Sequence, residues 1–412
     1  GLHDYSVLKR LFATNEIAQK CLAACPELAV AAQLEGQVRQ MSVHAGGALV
    51  DSHPLHETVA VGTRPGKERT AQVDMHTAAA QGLLKIDLLG SRTLTALAEA
   101  IRELGKTPEW LYSLPLEDPA ALQLLADGHN AAVFQLQGRA AGRIMQELRP
   151  ETFDDVVAVS ALARPGPLQS GGVRHFIARK HWHEPIPELQ PELAEILRGT
   201  YGTVVFQEQC MALAALAGFD LPDVHKIRKL VSKIGGADAI GEYRERLARG
   251  WFARGIPTSQ ISEAYRQLER AAGYAFCQAH ACQYGYVGMW TAYLKAHYPA
   301  VFTAAACRNV GGQDPEERIF AILRECGARG GTVTLLDPQH PIAGFAAVGE
   351  WGVTGGLMGF KGCAAATTAK VLRQAPFADE TALLAALPKT VREPLTVLWR
   401  AEGGMDSDVL EH

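Results

Sequence analysis

Several large classes of protein are excluded by what this sequence lacks. No stretch of about 18 apolar residues runs without polar interruption, and the opening Gly-Leu-His-Asp has neither the basic start nor the apolar core of a secretory signal. The expectation is a cytoplasmic protein with no membrane segment. Its eight cysteines show no repeated Cys-x-x-Cys spacing, so neither a disulfide framework nor a zinc ribbon is suggested, and free thiols in a reducing compartment fit. Charge of one sign is also missing. Forty Lys and Arg stand against 44 Asp and Glu, a formal net charge of -4, which provides no global field for nucleic acid, so any such binding must come from local patches. Internal repeats and low-complexity segments are absent.

What is present is globular: 412 residues with 48% hydrophobic and 20% charged side chains, enough for roughly two to four domains. The first residue is Gly rather than Met, which suits a processed product or a piece of a longer chain. Residues 14–36 carry Ile17, Leu22, Leu28 and Leu34 at helical spacing, interrupted at Pro26, and predict two helices. From 43 to 90 the texture changes to short apolar runs (Ala48-Leu49-Val50, Val59-Ala60-Val61, Leu83 to Leu88) between Gly, Pro and Asp, which predict strands of a small sheet. Residues 91–310 are mostly helical in period, with breaks at Arg164-Pro165-Gly166-Pro167, Pro185-Ile186-Pro187 and Gly235-Gly236. After Gly311-Gly312-Gln313-Asp314, a helix near 316–328 and a run at Thr332–Leu336 open a smaller last region.

Four local patterns bear on chemistry. Lys85 and Asp87 lie two apart in an apolar run, on one face if the run is a strand; taken alone, Asp87 reads more readily as a turn or cap residue before Ser91-Arg92-Thr93. His225, Lys229 and Lys233 recur every four residues with Arg228 beside them, a cationic helix face that suits a triphosphate or simply water. His280 and Tyr284 share a helix face, suited to stacking or phosphate contact, while Cys277, His280 and Cys282 lack the fourth ligand of a zinc site. Gly355 to Ala364 is a Gly-bracketed turn before a helical run, which either offers backbone amides to a phosphate or is an ordinary loop.

Taken in order, the motifs are far more specific. Ser42-Val43-His44-Ala45-Gly46-Gly47, Lys85-Ile86-Asp87-Leu88-Leu89-Gly90-Ser91-Arg92-Thr93-Leu94, Phe134-Gln135-Leu136, Arg164-Pro165-Gly166-Pro167-Leu168-Gln169-Ser170-Gly171, Tyr201 to Gln209 and Leu294-Lys295-Ala296-His297-Tyr298-Pro299 resemble successive motifs of the C family of DNA polymerases. These are the bacterial replicative polymerase III alpha subunits. The resemblance runs from about residue 30 to Gly403-Gly404-Met405-Asp406.

The resemblance implies an α+β, mostly α fold: a thumb remnant (1–36), the C-terminal part of a polymerase-beta-like palm (37–92), helical fingers (93–310) and a helix-hairpin-helix region (311–412). It implies template-directed DNA synthesis with two Mg²⁺ ions, on primed DNA and dNTPs. Asp87 matches the third of the family's catalytic aspartates and so becomes a metal ligand, with Lys85 the basic residue beside it. Arg228, Lys229 and Lys233 match the family's triphosphate-binding helix, with Arg164 and His280 as secondary nucleotide contacts; Lys361, Gly362 and His44 are the DNA-binding candidates.

Two departures qualify the match. Where the family reads Phe-Asn-Lys-Ser-His, this chain has Phe276-Cys277-Gln278-Ala279-His280, an amide in place of a cation. The family's first two catalytic aspartates, an Asp-x-Asp pair, have no counterpart; Asp406-Ser407-Asp408 lies in the tail, after a Gly-Ala-Phe-Asp-like stop that suits a short natural C-terminus. The expectation is an enzyme whose chain alone is inactive and that needs an N-terminal polymerase half, with a sliding clamp met only indirectly. The alternative is a DNA-binding or regulatory remnant without catalysis.

Overall fold

The computed structural model describes residues 7–35, 43–63, 69–169, 171–232, 240–311, 314–334, 336–359 and 363–392. The chain divides into two compact units, Gly1–Gly90 and Ser91–His412. It is an α+β molecule dominated by helix, with two two-stranded sheets and one three-stranded sheet among the described residues.

In the first unit Pro26 separates helices Glu16–Ala24 and Leu28–Leu34, as its missing N–H requires, and a further helix, Val7–Thr14, precedes them. Strand β1 (Gly47–Val50) and strand β4 (Leu84–Asp87) pair antiparallel, Gly47 opposite Asp87 and Leu49 opposite Lys85; β2 (Val61–Thr63) and β3 (Arg69–Ala71) form a second ribbon. The strand expected at Val59–Val61 begins only at Val61. Val59 instead closes the one-turn helix Leu55–Thr58, its N–H on the Leu55 carbonyl at 2.9 Å, and its side chain joins Ala78 and Leu83 in a small core.

The second unit opens with Ser91 accepting from the Leu94 N–H and capping helix Arg92–Glu103. Its helices gather around four apolar clusters. One surrounds helices Pro119–Ala126, Arg139–Leu148, Phe153–Leu162 and Gln278–His297. Another surrounds Gln207–Leu216, Leu221–Val231, Arg244–Ala253 and Thr258–Ala271, with Trp251 fully buried and its indole N–H on the Leu213 carbonyl at 2.9 Å. A third joins Arg92–Glu103 to Pro299–Arg308 and Pro315–Ala328. A small fourth lies under Ala365–Leu372 and Glu380–Ala386. Strands β5 (Val333–Thr334), β6 (Ala346–Val348) and β7 (Gly352–Thr354) form the three-stranded sheet in the order β5-β7-β6.

Buried polar groups fix how these elements meet. Asp155, 1% exposed, receives Lys180 at 2.5 Å, the Tyr201 hydroxyl at 2.8 Å and the Glu151 N–H at 2.9 Å, joining three segments in one satisfied network. The Leu294–Pro299 motif is architectural: Lys295 reaches Glu325 and the Ala131 carbonyl, His297 Nε2 lies 2.9 Å from Asp118 Oδ1, and Pro299 starts the next helix.

Candidate functional site

The strand parity expected for Lys85 and Asp87 is what the fold shows. Both project from one face of β4, and Lys85 Nζ lies 2.7 Å from Asp87 Oδ1 and 2.8 Å from Oδ2. His44 Nε2 stands 3.9 Å from Asp87 Oδ1. The hydrogen bond from Lys85 holds the Asp87 carboxyl below its ordinary range, with the Lys85 and His44 charges adding to it. Asp87 caps no helix; Ser91 takes that role. The glycines beside His44 are steric requirements. A Cβ on Gly46 would sit 2.4 Å from the Leu88 carbonyl oxygen, and one on Gly47 would sit 2.9 Å from His44 Nδ1 and 3.3 Å from Asp87 Oδ1. All four residues of β4 are exposed, so this carboxylate, 44% exposed at its side chain, stands at the surface rather than in a core.

In the second unit, motifs far apart in sequence are woven into one region. The Phe276 N–H donates to the Val205 carbonyl at 3.1 Å, the Gln207 N–H to the Phe276 carbonyl at 2.8 Å, and the Gln207 amide to the Ala275 carbonyl at 3.0 Å. Gln209 accepts from the Val205 and Phe206 N–H groups and donates to Thr200 Oγ1 and the Ile196 carbonyl, which is why a buried Gln ends that motif. Glu208 accepts from the Gln278 N–H at 2.8 Å and satisfies the start of helix Gln278–His297. Arg164 lies over the Phe276 ring, 3.6 Å from its centroid, and partial burial lowers its pKa from the usual arginine value while leaving it cationic. His280 bridges the rings edge-on: its ring is 5.4 Å from Phe276 and 4.1 Å from Tyr284, which in turn stacks on Phe134 at 5.1 Å and 20°. Gly166 of the Arg164–Pro167 segment meets Tyr274 so closely that any Cβ would fall 1.8 Å from that ring.

Arg228 and Lys229 sit in the last turn of helix Leu221–Val231, whose Val231 carbonyl accepts the Gly273 N–H at 2.8 Å. The segment 273–280 therefore joins this cationic helix end to the Arg164–Phe276–His280 stack. Lys226, on the same helix, is neutralised by Asp223, which also takes Arg246; Arg228 and Lys229 have no carboxylate partner among the described residues. The helix closes at Val231 with Ser232 as cap, so Lys233, like Lys361, Gly362 and Asp406-Ser407-Asp408, lies outside the described residues. Sequence reasoning assigned no role to Glu208, Tyr274 or Phe134, although two of them stand inside quoted motifs; their roles depend on partners about 70 to 150 residues away.

No group of three His, Cys, Asp or Glu able to hold a metal occurs among the described residues. Asp87 is one carboxylate tied to a lysine, which does not by itself fit a pair of divalent ions.

Comparison with known proteins follows the same division. Residues 6–90 match the bacterial DNA polymerase III alpha NTPase domain, and residues 93–255 the bacterial DNA polymerase III alpha subunit finger domain. The chain is 36% identical over 349 residues to a DNA polymerase III subunit alpha of Aquifex aeolicus, covering 84% of this chain and 30% of that protein. It is 36% identical over 325 residues to the subunit of Thermus aquaticus (77% and 26%) and 35% identical over 327 residues to that of Halalkalibacterium halodurans (78% and 28%). The chain thus spans under a third of the length of these relatives. Two adjoining matched domains and over a third of positions identical across most of its length leave one assignment: this chain belongs to the bacterial DNA polymerase III alpha-subunit family.

Proposed function

We propose that this chain carries the nucleotide-binding fingers and one metal-ligand aspartate of a template-directed DNA polymerase acting in replication, and that further polypeptide supplies the remaining carboxylates. The observation that carries this reading is Asp87: ionised, exposed at the end of β4, flanked by Lys85 and His44, and serving no cap or core. Two Mg²⁺ ions, when bound, would activate a primer 3′ hydroxyl and stabilise departing pyrophosphate. Asp87 offers oxygen ligands to such a site, and Lys85 keeps it ionised while placing a positive charge beside it. Arg228 and Lys229, lacking carboxylate partners among the described residues, suit an incoming triphosphate, with Arg164 over the Phe276 ring and exposed His280 edge-on beside it at the rim of the same region. Lys233 would extend the cationic face, and Lys361 and Gly362 would meet duplex backbone without reading sequence, with His44 near the primer end.

On this reading 37–92 is palm, 93–310 fingers and 311–412 the start of a helix-hairpin-helix region. The partners are primed DNA, dNTPs and an N-terminal half bearing an Asp-x-Asp pair, in a reducing cytoplasm. No helix among the described residues is long and apolar enough to cross a membrane. A second reading, a DNA-binding remnant without catalysis, is favoured by Gln278 standing where the family carries lysine.

Single-nucleotide incorporation on a primed template with Mg²⁺ separates them, using this chain alone, then with the polypeptide encoded upstream. Synthesis only in the mixture, abolished by Asp87→Asn, is the expected result. Synthesis by the chain alone would overturn the missing-carboxylate account; silence in both would favour the remnant.

A further inference from the structure

Helix Gly172–Lys180 ends in a turn where the His183 N–H donates to the Ala178 carbonyl at 2.8 Å and the Trp182 N–H to the Arg179 carbonyl at 3.2 Å. This is the Schellman pattern of helix termination, in which the residue after the cap takes a left-handed backbone, a place usually filled by glycine. Here it is Trp182, at φ +58°. Its side chain gains nothing in exchange, since the residue is 80% exposed and the indole has no ring, cation or hydrogen-bond partner among the described residues. A bulky residue in left-handed backbone and a large aromatic in water are both unfavourable, and outliers of this kind gather at sites of function.

The turn is firmly built. Glu184 takes the Arg179 Nε–H at 3.0 Å and lies 2.6 Å from His175 Nδ1. Two imidazoles flank the indole in sequence. The His181 and His183 rings stand 6.0 Å apart, and His181 Nε2 lies 2.9 Å from the Glu147 carbonyl, which brings exposed Arg149 into the neighbourhood. The Glu147 carboxylate is taken by Arg143 at 2.7 Å, and Arg149 has no carboxylate partner among the described residues.

We propose that Trp182 is a stacking platform for an unpaired base of single-stranded DNA, with Arg149 attracting the strand's backbone. An exposed aromatic face near an unneutralised cation is how single strands are held without sequence preference, whereas duplex bases are covered and offer the indole nothing to stack on. The inference rests on the polymerase reading and deepens it by placing the unpaired template.

The test is fluorescence polarisation of a labelled oligo-dT titrated with the full chain and with Trp182→Ala, Trp182→Gly and Trp182→Phe, alongside thermal denaturation. Alanine and glycine should weaken binding about tenfold, the scale of one stacked base, while Phe retains it. Glycine should also raise Tm by about 2 °C by relieving the left-handed backbone, so that affinity and stability move in opposite directions. Equal affinities in all four proteins, no oligo-dT binding at all, or blunt duplex bound as tightly and with the same dependence on Trp182, would each overturn the proposal. Oligo-dT binding needs neither metal nor Asp87. Unchanged affinity with intact, Asp87-dependent synthesis therefore sinks the platform alone, while a tenfold loss without synthesis in any mixture sinks the polymerase reading alone.

Discussion

Lys85–Asp87 and Lys180–Asp155 are the same two side chains at nearly the same separation, 2.7 and 2.5 Å, in opposite surroundings. The second pair is almost wholly buried, and its carboxylate has every oxygen engaged by lysine, tyrosine and backbone donors. The first pair is at the end of an exposed strand of a two-stranded sheet, 32% and 44% exposed, with the His44 imidazole beside it. Breaking a buried, hydrogen-bonded pair leaves an uncompensated charge, whereas an exposed pair contributes little to folding. An ion pair that stability does not require is free to serve a ligand. Lys295–Glu325 sides with the buried pair: it holds the Ala131 carbonyl and the end of the long helix in place.

The contrast is sharpest in stability. Asp155→Ala strands Lys180 and Tyr201 in the interior and should cost about 3–5 kcal/mol in chemical denaturation; a loss below about 1 kcal/mol would erase the distinction. Next comes the pH dependence of the buried lysine. Burial pulls Lys295 down to about 8, below its unfolded value of about 10.4. Between these values the unfolded chain binds more protons, so stability rises with pH, with a slope of at most about 1.4 kcal/mol per pH unit. That contribution is fully present above the unfolded value and is lost as pH falls through the folded one. Unfolding free energies of wild type and Lys295→Met at roughly pH 7.5 and 9.5, the first just below and the second within that window, should diverge by about 2 kcal/mol, and parallel profiles would refute it.

On the exposed side the expected changes are small by design. Asp87→Asn should leave the denaturation midpoint nearly unchanged while abolishing synthesis in the reconstituted mixture. A large loss of stability would mean that the exposed pair is structural after all. Smallest is the effect of Lys85→Ala, which should let the Asp87 carboxyl rise toward its ordinary value of about 3.9, read by carbon NMR of the labelled aspartates. A titration unchanged by the substitution would show that Lys85 is not what keeps Asp87 ionised.

Much of this organisation was legible in the residues. The two-residue spacing of Lys85 and Asp87 placed them on one strand face, and Pro26 divided the helices of the first unit where expected. The helix carrying Arg228 and Lys229 and the shared face of His280 and Tyr284 were readable from periodicity. Val59 was misread as strand because an apolar triplet does not reveal whether its first residue closes a helical turn. Nothing local marked Trp182, since glycine-like backbone at a tryptophan contradicts the propensity on which such reading depends.

By itself the sequence determined the elements, the parity of the charged pair and the family, because caps, proline and the two periodicities act over a few residues and the motif order is linear. Only the tertiary structure decided that the Lys180–Asp155 and Lys295–Glu325 pairs are buried while Lys85–Asp87 is open. It also decided that segments around 134, 164, 206, 231 and 276 meet in one region. Burial and convergence depend on packing between residues tens to more than a hundred positions apart, and short-range pattern carries no information about those partners.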